Sequence, residues 1–324
     1  MQTQKEALLA IYRGEQPEYI PNEKECVHSV VFPGERYFPI PFEPYGTGPD
    51  AWGVLWTNQG PNPGLDGNTV AANFKLFDEV ENWEKYVRFP DLDKIHAADI
   101  LRKMTQNLDR EKKVLSCLML SGQFERLNQM VGMENALCAF YECPDELHAF
   151  FDAMCEYKLH CIQLAYDTIK PDIIHMHDDW GTAGNMFFSP DLWREFIKPN
   201  EIRYAQKIHE LGMLYEHHSC GYIMQIVPDL VEIDIDCINP LNVCNDVGWI
   251  KKEFGDKITL KGGVDNQYLE SGRVTEEDIR NEARRVLNAF SANGRYLPGY
   301  IATKGDIQNI FFDEVERYGK NIYQ

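Results

Sequence analysis

No apolar run approaches the ~18 residues that a membrane-spanning helix needs, so no transmembrane segment is expected. The opening Met1-Gln2-Thr3-Gln4-Lys5-Glu6 has no apolar stretch behind a basic end, which makes the cytoplasm the expected compartment. Positive charge is scarce: 32 Lys and Arg stand against 51 Asp and Glu, a net charge of −19. Phosphate backbones and anionic membranes need a basic surface, so neither nucleic acid nor a membrane is an expected partner. The nine cysteines include no CxxC pair, and their odd number argues against a disulfide framework. Neither GxGxxG nor GxxxxGK[ST] occurs, which removes the strongest signs of a nucleotide-binding open sheet.

What the chain does have is a 44% hydrophobic content over 324 residues, enough for one large core. Residues 1–20 read as a helix and a Pro-containing turn. Residues 33–75 are rich in Pro, Gly and aromatics and read as an irregular insertion covering one end of the fold. From about residue 90, short apolar runs alternate with amphipathic ones. The expected strands are Val27–Val31, Val114–Leu120, Asp172–His177, Met213–His217, Asp236–Asn239, Ile258–Lys261 and Arg295–Ile301. Helical periodicity appears at Pro144–Thr168, Pro190–Leu211, Tyr222–Glu232, Asp246–Phe254 and Thr275–Ala292. Such alternation implies a parallel sheet with right-handed crossovers. With no nucleotide-binding motif, a (β/α)8 barrel fits better than an open sheet.

In barrels the active site lies at the C-terminal ends of the strands. The expected strand ends carry His177-Asp178-Asp179-Trp180-Gly181, Glu216-His217-His218-Ser219-Cys220-Gly221, Asn239-Pro240, Gly262-Gly263-Val264-Asp265 and Pro298-Gly299-Tyr300. His218 and Cys220 share one face, and imidazole plus thiolate is a donor pair that zinc prefers. His217 and His218 point to opposite faces, so at most one enters the mouth. Glu216 shares the parity of His218 and Cys220 and is a candidate oxygen ligand; Cys237 and Cys244 are others. Asp178 or Asp179 is the candidate catalytic carboxylate, orienting a substrate or handling a proton, although either could simply cap a helix. His177, Asp265, Tyr300 and Trp56 are candidate substrate contacts. The stripe Trp52, Trp56 and Trp83 reads more readily as packing of the N-terminal cover than as a stacking platform.

At these residues the chain resembles the uroporphyrinogen decarboxylase superfamily, and in particular its corrinoid-linked methyltransferase branch. The resemblance rests on the HDDWG segment, on Ser189-Pro190 leading into Trp193-Arg194-Glu195-Phe196-Ile197-Lys198-Pro199, on His218-Ser219-Cys220-Gly221, on Gly262-Gly263-Val264-Asp265, and on Asp50-Ala51-Trp52-Gly53-Val54-Leu55-Trp56. It implies a distorted (β/α)8 barrel over residues 1–324 as one domain, with residues 1–90 as extension and lid. It also implies methyl transfer between a small methylated substrate and a corrinoid on a separate protein. The substrate could be an aromatic methyl ether, methanol or a methylamine. In that branch zinc is held by a His-x-Cys pair, here His218 and Cys220, and by a later Cys. The chain departs at the last point, where Gly299-Tyr300 stands for Gly-Cys. No corrinoid-binding DxHxxG motif is present, so the corrinoid is expected on a partner. The alternatives are a decarboxylase of the uroporphyrinogen type and a barrel that binds its ligand without turnover. The Arg-rich early segment that a polycarboxylate would need is reduced here to Gly34-Glu35-Arg36-Tyr37.

Overall fold

Seven short parallel strands organise the molecule. The computed structural model describes residues 2–34, 47–58, 68–299 and 305–323. In chain order the strands are β1 (Val27–Val31), β2 (Gly48–Pro49), β3 (Leu55–Asn58), β4 (Asn68–Val70), β5 (Val114–Met119), β6 (Ile173–His177), β7 (Leu214–His218), β8 (Cys237–Leu241), β9 (Thr259–Gly262) and β10 (Tyr296–Leu297). The main sheet has the order β1-β5-β6-β7-β8-β9-β10, and every pairing in it is parallel. The expected strands are therefore present with ends shifted by a residue or two, except the last, where only Tyr296–Leu297 stands for the expected Arg295–Ile301, whose end lies outside the described residues.

The connecting helices begin and end where the local chemistry dictates. Ser189 caps the helix that starts with Pro190, its Oγ accepting from Leu192 N. Thr275 and Asp278 form a capping box at the start of Glu276–Phe290. Gly212, at φ +73°, sits in the left-handed region that ends the helix Lys198–Glu210 before β7.

The pleat sends alternate side chains to opposite faces. Leu115, Cys117, Ile174, Met176, Tyr215 and Ile238 are buried against the helical layer. Ser29, Ser116, His175, Glu216, Asn239 and Lys261, on six different strands, line one common cavity. Inward residues of β1 and of β9 can meet around one space only if the sheet curls about it.

The curl stops short of a closed ring of eight strands among the described residues. Between the edges β1 and β10 stands the helix Gly305–Gly319. Its Gln308 and Phe312 line the same cavity, Lys24 Nζ donates to Asn309 Oδ1 at 2.6 Å, and Ile20 N donates to Gly319 O at 3.2 Å.

The N-terminal segment contributes more than an extension, since β1 belongs to the main sheet. Beyond it, β2, β3 and β4 form a small antiparallel sheet. This sheet is anchored by Asp50, which is fully buried and accepts from Trp52 N, Val54 N, Trp56 Nε1 and Arg126 Nη1. The Arg126 guanidinium also lies over the Trp52 ring, 4.7 Å from its centroid. These contacts hold the small sheet against the helix Gln123–Val131, and none of its described residues lines the cavity.

Candidate metal centre and ligand cavity

The cavity has a volume of about 700 Å³, within the range of small-molecule sites. Its polar groups fall into two tiers set by strand register. His177 pairs with His218 and His218 with Asn239 across β6, β7 and β8, which forms the upper tier at the strand ends. His175 and Glu216, two residues earlier on their strands, form the lower tier.

The upper tier is assembled by two loops that cross. A Cβ on Gly221 (φ +87°) would lie 2.3 Å from the Gly181 carbonyl carbon, so both positions need glycine for the backbones to pass. Tyr222 N donates to Thr182 O at 2.7 Å, and Ser219 Oγ accepts from Trp180 N at 3.0 Å. The Cys220 N–H donates to Asp179 Oδ1 at 2.6 Å. This crossing brings Asp179 and Cys220 each to the side of His218. His218 Nε2 lies 3.4 Å from Cys220 Sγ and 3.7 Å from Asp179 Oδ1. The His177 and His218 rings stack with centroids 4.1 Å apart, and His177 Nδ1 is 2.7 Å from Glu125 Oε2. Donor atoms of His177, Asp179 and His218 all lie within 4.8 Å of one another.

The two adjacent aspartates have different tasks. Asp178 turns away from the cavity. Its carboxylate accepts from Phe124 N, Glu125 N and Trp180 Nε1 at 3.1, 2.8 and 3.1 Å, and so caps the helix Gln123–Val131. Burial and the Glu125 carboxylate push Asp178 up to about 8, against the pull of those three donors. By fixing the first turn of that helix, Asp178 positions Glu125, which in turn faces His177. Asp179 lines the cavity, and burial and then Glu125 raise its carboxyl above the ordinary value.

Burial, followed by the neighbouring imidazoles of His177 and His175, holds His218 well below the usual imidazole range, so the ring is neutral and available as a donor. Burial, Asp179 and Glu125 push the Cys220 thiol up to about 12. At neutral pH that thiol is therefore protonated.

In the lower tier Glu216 accepts from Asn239 Nδ2 at 2.5 Å and from the Tyr12 hydroxyl. Lys261 Nζ is 3.1 Å and His175 Nδ1 3.2 Å from the same carboxylate. Burial opposes its ionisation, but Lys261 and His175 outweigh that and hold Glu216 well below the carboxylate range. Lys261 also reaches Glu23 at 2.8 Å. Tyr12, at the end of the helix Gln4–Arg13, thus closes the floor.

Each residue singled out in the sequence has a definite place, save one. His218 and Cys220 converge at the mouth, and His177 and Asp179 join them. His217 points to the opposite face, stacked on Trp180 with centroids 4.2 Å apart. Glu216 lies in the lower tier with four donors. Trp56 is buried with its indole on Asp50 and does not line the cavity. Asp265 caps the helix Asn266–Glu270, accepting from Tyr268 N at 2.9 Å, and is likewise not a lining residue. Cys237 is fully buried beside Tyr12 and Glu216, and Cys244 is not among the lining residues. Tyr300 lies outside the described residues.

Four polar residues that build the two tiers were not singled out from the sequence. Glu125 follows the end of β5, where the strand-end rule applied to Ser121-Gly122-Gln123-Phe124-Glu125 would have reached it. His175 and Lys261 share the parity of His177 and Gly263 on their strands. Tyr12 has no local signal, because its partner is 204 positions away.

A curled parallel sheet with a His177–Asp179–His218 cluster at its strand ends, and Cys220 beside His218, defines an α/β barrel-like protein built around a strand-end site. The sequence profile of the uroporphyrinogen decarboxylase (URO-D) family matches residues 67–305, and the chain belongs to that family. No curated protein matches the sequence. Among solved structures, a methyltransferase from Methanosarcina mazei superposes with a TM-score of 0.73 at 16% identity, over 98% of this chain and 99% of that one. A 3-keto-L-gulonate-6-phosphate decarboxylase from Vibrio cholerae reaches a TM-score of 0.34 at 10% identity, over 69% of this chain and 81% of that one. The first likeness extends over the whole fold; the second is too low to support any conclusion.

Proposed function

We propose that this protein is a methyltransferase that moves a methyl group between a small methylated substrate and a corrinoid carried on a separate protein. The observation that carries this reading is the cluster of donor atoms of His177, Asp179 and His218, all within 4.8 Å of one another, with Cys220 Sγ 3.4 Å from His218 Nε2 at the mouth of the cavity. Family membership and the full-length likeness to a methyltransferase support it.

The donor set suits zinc. A tetrahedral zinc with nitrogen at about 2.0 Å, sulfur at about 2.3 Å and oxygen at about 2.1 Å holds its donors about 3.3–3.6 Å apart. The 3.4 and 3.7 Å separations here are close to that. Asp179 supplies the third donor where the family resemblance led to a later cysteine. The Glu125–His177 contact is of the kind that orients imidazoles around metals. When bound there, zinc supplies Lewis acidity toward the heteroatom that bears the methyl group.

The protein's own groups do the rest. Neutral His218 offers its lone pair without first losing a proton. Cys220 gives up its proton on binding. The apolar wall of Leu118, Leu120 and Ile173 keeps water from the methyl group, and the lower tier receives the far end of the substrate. The decarboxylase alternative is disfavoured by the lining: no arginine faces the cavity among the described residues, whereas a polycarboxylate calls for several.

The test is incubation of the zinc-loaded protein with reduced cobalamin and a panel of methyl ethers, methylamines and methanol, following the change in cobalamin absorbance on methylation. Activity with one donor, lost in His218→Ala and Cys220→Ser, supports the proposal. Carbon dioxide release from uroporphyrinogen in place of methylation would replace it with the decarboxylase reading.

A further inference from the structure

Two serines interrupt apolar strands at one level of the sheet. Ser29 stands in Val27–Val31 and Ser116 in Val114–Met119, and the pairing of β1 with β5 sets them directly opposite each other. Both line the cavity. Ile173 on β6 continues their row, which lies two residues before the tier of His175 and Glu216. This is a third tier, nearer the strand starts. His177 is four positions further along β6 than Ile173, so at ~3.3 Å per residue the serine row lies about 13 Å from the donor cluster at the mouth.

Neither hydroxyl has a hydrogen-bond partner among the described residues, and the two do not bond to each other. Ser116 is only 5% exposed, and a hydroxyl buried to that extent is ordinarily bonded. Ser29 is exposed although it sits on the inner face of the sheet, so open space stands in front of the pair. Side chains opposite each other on neighbouring strands are about 5 Å apart, which lets two hydroxyls reach one oxygen placed between them. Around the pair the wall is apolar: Val27 and Leu118 lie two positions away on the same strands, and Ile173 lies beside Ser116. The nearby polar groups are engaged elsewhere. Glu23 and Glu216 hold Lys261 at 2.8 and 3.1 Å, Asn239 Nδ2 donates to Glu216, and Lys24 Nζ donates to Asn309 Oδ1. Gln308 also lines the cavity with no side-chain bond among the described residues, and so adds a neutral amide to the same space.

We infer that Ser29 and Ser116 form a neutral hydrogen-bonding subsite that holds a hydroxyl group of an uncharged ligand. One serine donates to the ligand oxygen and the other accepts from its O–H. The apolar residues around the pair seat the body of the ligand. A ligand that uses both this subsite and the donor cluster spans about 13 Å, which one-carbon compounds do not. The inference rests on the cavity alone and not on methyl transfer.

The experiment uses the full chain and four probes that differ at one ring position: naphthylmethanol, methylnaphthalene, naphthoate and naphthylmethylammonium. Binding is read by naphthalene fluorescence and by calorimetry. The alcohol is expected to bind about three- to tenfold more tightly than the hydrocarbon, the net worth of one neutral hydrogen bond. It should also bind more tightly than either ion, whose charge finds no partner at a neutral pair. In the double variant Ser29→Ala, Ser116→Ala the alcohol should fall to the affinity of the hydrocarbon, while the hydrocarbon binds as well as before or better. The melting temperature should not fall, because the hydroxyls removed had no partners to lose. Equal binding of alcohol and hydrocarbon overturns the inference, as does an alcohol affinity unchanged in the double variant. Tighter binding of naphthoate than of the alcohol overturns it in favour of Lys24, and no binding of any probe overturns it outright. A double variant that melts several degrees lower assigns the serines to the scaffold and overturns it as well. No methyl donor or cobalamin enters the assay, so these outcomes are independent of the transferase reading.

Discussion

Gly181 and Gly221 cross so closely that neither has room for a side chain, and the site exists because of that crossing. A Cβ at 221 would lie 2.3 Å from the Gly181 carbonyl carbon, and a Cβ at 181 would lie 2.6 Å from the Tyr222 carbonyl oxygen. The obstacles are backbone, which cannot rotate aside. Gly221→Ala adds the strain of φ +87° to the overlap. It is expected to cost about 2–4 kcal/mol and to separate Asp179 from Cys220. Urea denaturation measures the first effect and metal titration the second. A variant as stable as the parent, with metal binding intact, would mean that the loops do not pass as described.

Asp178 and Asp179 are neighbours in sequence, and their substitution should have opposite consequences. Asp178 is fully buried with three N–H donors, so Asp178→Ala removes a helix cap and strands those donors. The expected loss is about 2 kcal/mol of stability. Asp179 is partly exposed to the cavity, at 29%, and Asp179→Ala should leave the melting temperature within a few degrees of the parent while metal affinity collapses. Paired thermal melts and metal titrations of the two variants decide the matter. The same loss of stability in both would erase the distinction.

Lys261 is the only cation among the described residues that faces both Glu23 and Glu216. Lys261→Met leaves two carboxylates in a buried place without their counter-charge, at an expected cost of about 3–5 kcal/mol. Adding Glu216→Gln to that variant should restore part of the stability, since it removes one of the uncompensated charges. Chemical denaturation of the single and double variants tests the coupling, and simple additivity of the two losses would contradict it.

His209 gives a pH signature remote from the site. Its Nε2 lies 2.9 Å from Asp236 Oδ2, and that hydrogen bond raises its pKa above the ordinary value. A raised folded-state pKa means that the charged form is favoured in the native protein. The resulting stabilisation is fully present below the unfolded value near ~6.5 and is lost as pH rises through the folded pKa. The stability difference between the parent and His209→Gln should therefore be about 0.5–1 kcal/mol larger below pH ~6 than above pH ~8. A difference independent of pH would mean that His209 is not charged in the folded state.

The strand pattern was legible because each buried strand is a short apolar run bounded by turn residues. Val114–Met119, Ile173–His177 and Leu214–His218 stand within one or two residues of the sequence boundaries. The pairing of His218 with Cys220 followed from parity alone. The roles of Asp178 and Asp179 could not be separated by sequence, because capping and cavity-facing carboxylates look alike until the helix Gln123–Val131 is placed against them. Trp56 drew attention as an aromatic near a glycine-rich stretch, yet its indole belongs to the buried Asp50–Arg126 cluster, a contact between segments 76 positions apart. Long-range partners of this kind, including Tyr12 with Glu216, leave no periodic trace.

The zinc content of the purified protein, measured against three single variants, tests the central claim most directly. The account predicts one zinc per chain in the parent, none in His218→Ala or Cys220→Ser, and weakened binding in Asp179→Ala. With cobalt in place of zinc, the sulfur-to-metal charge-transfer band should vanish in Cys220→Ser. Full zinc occupancy in His218→Ala and Cys220→Ser, or a parent that takes up no zinc when it is supplied, would contradict the account.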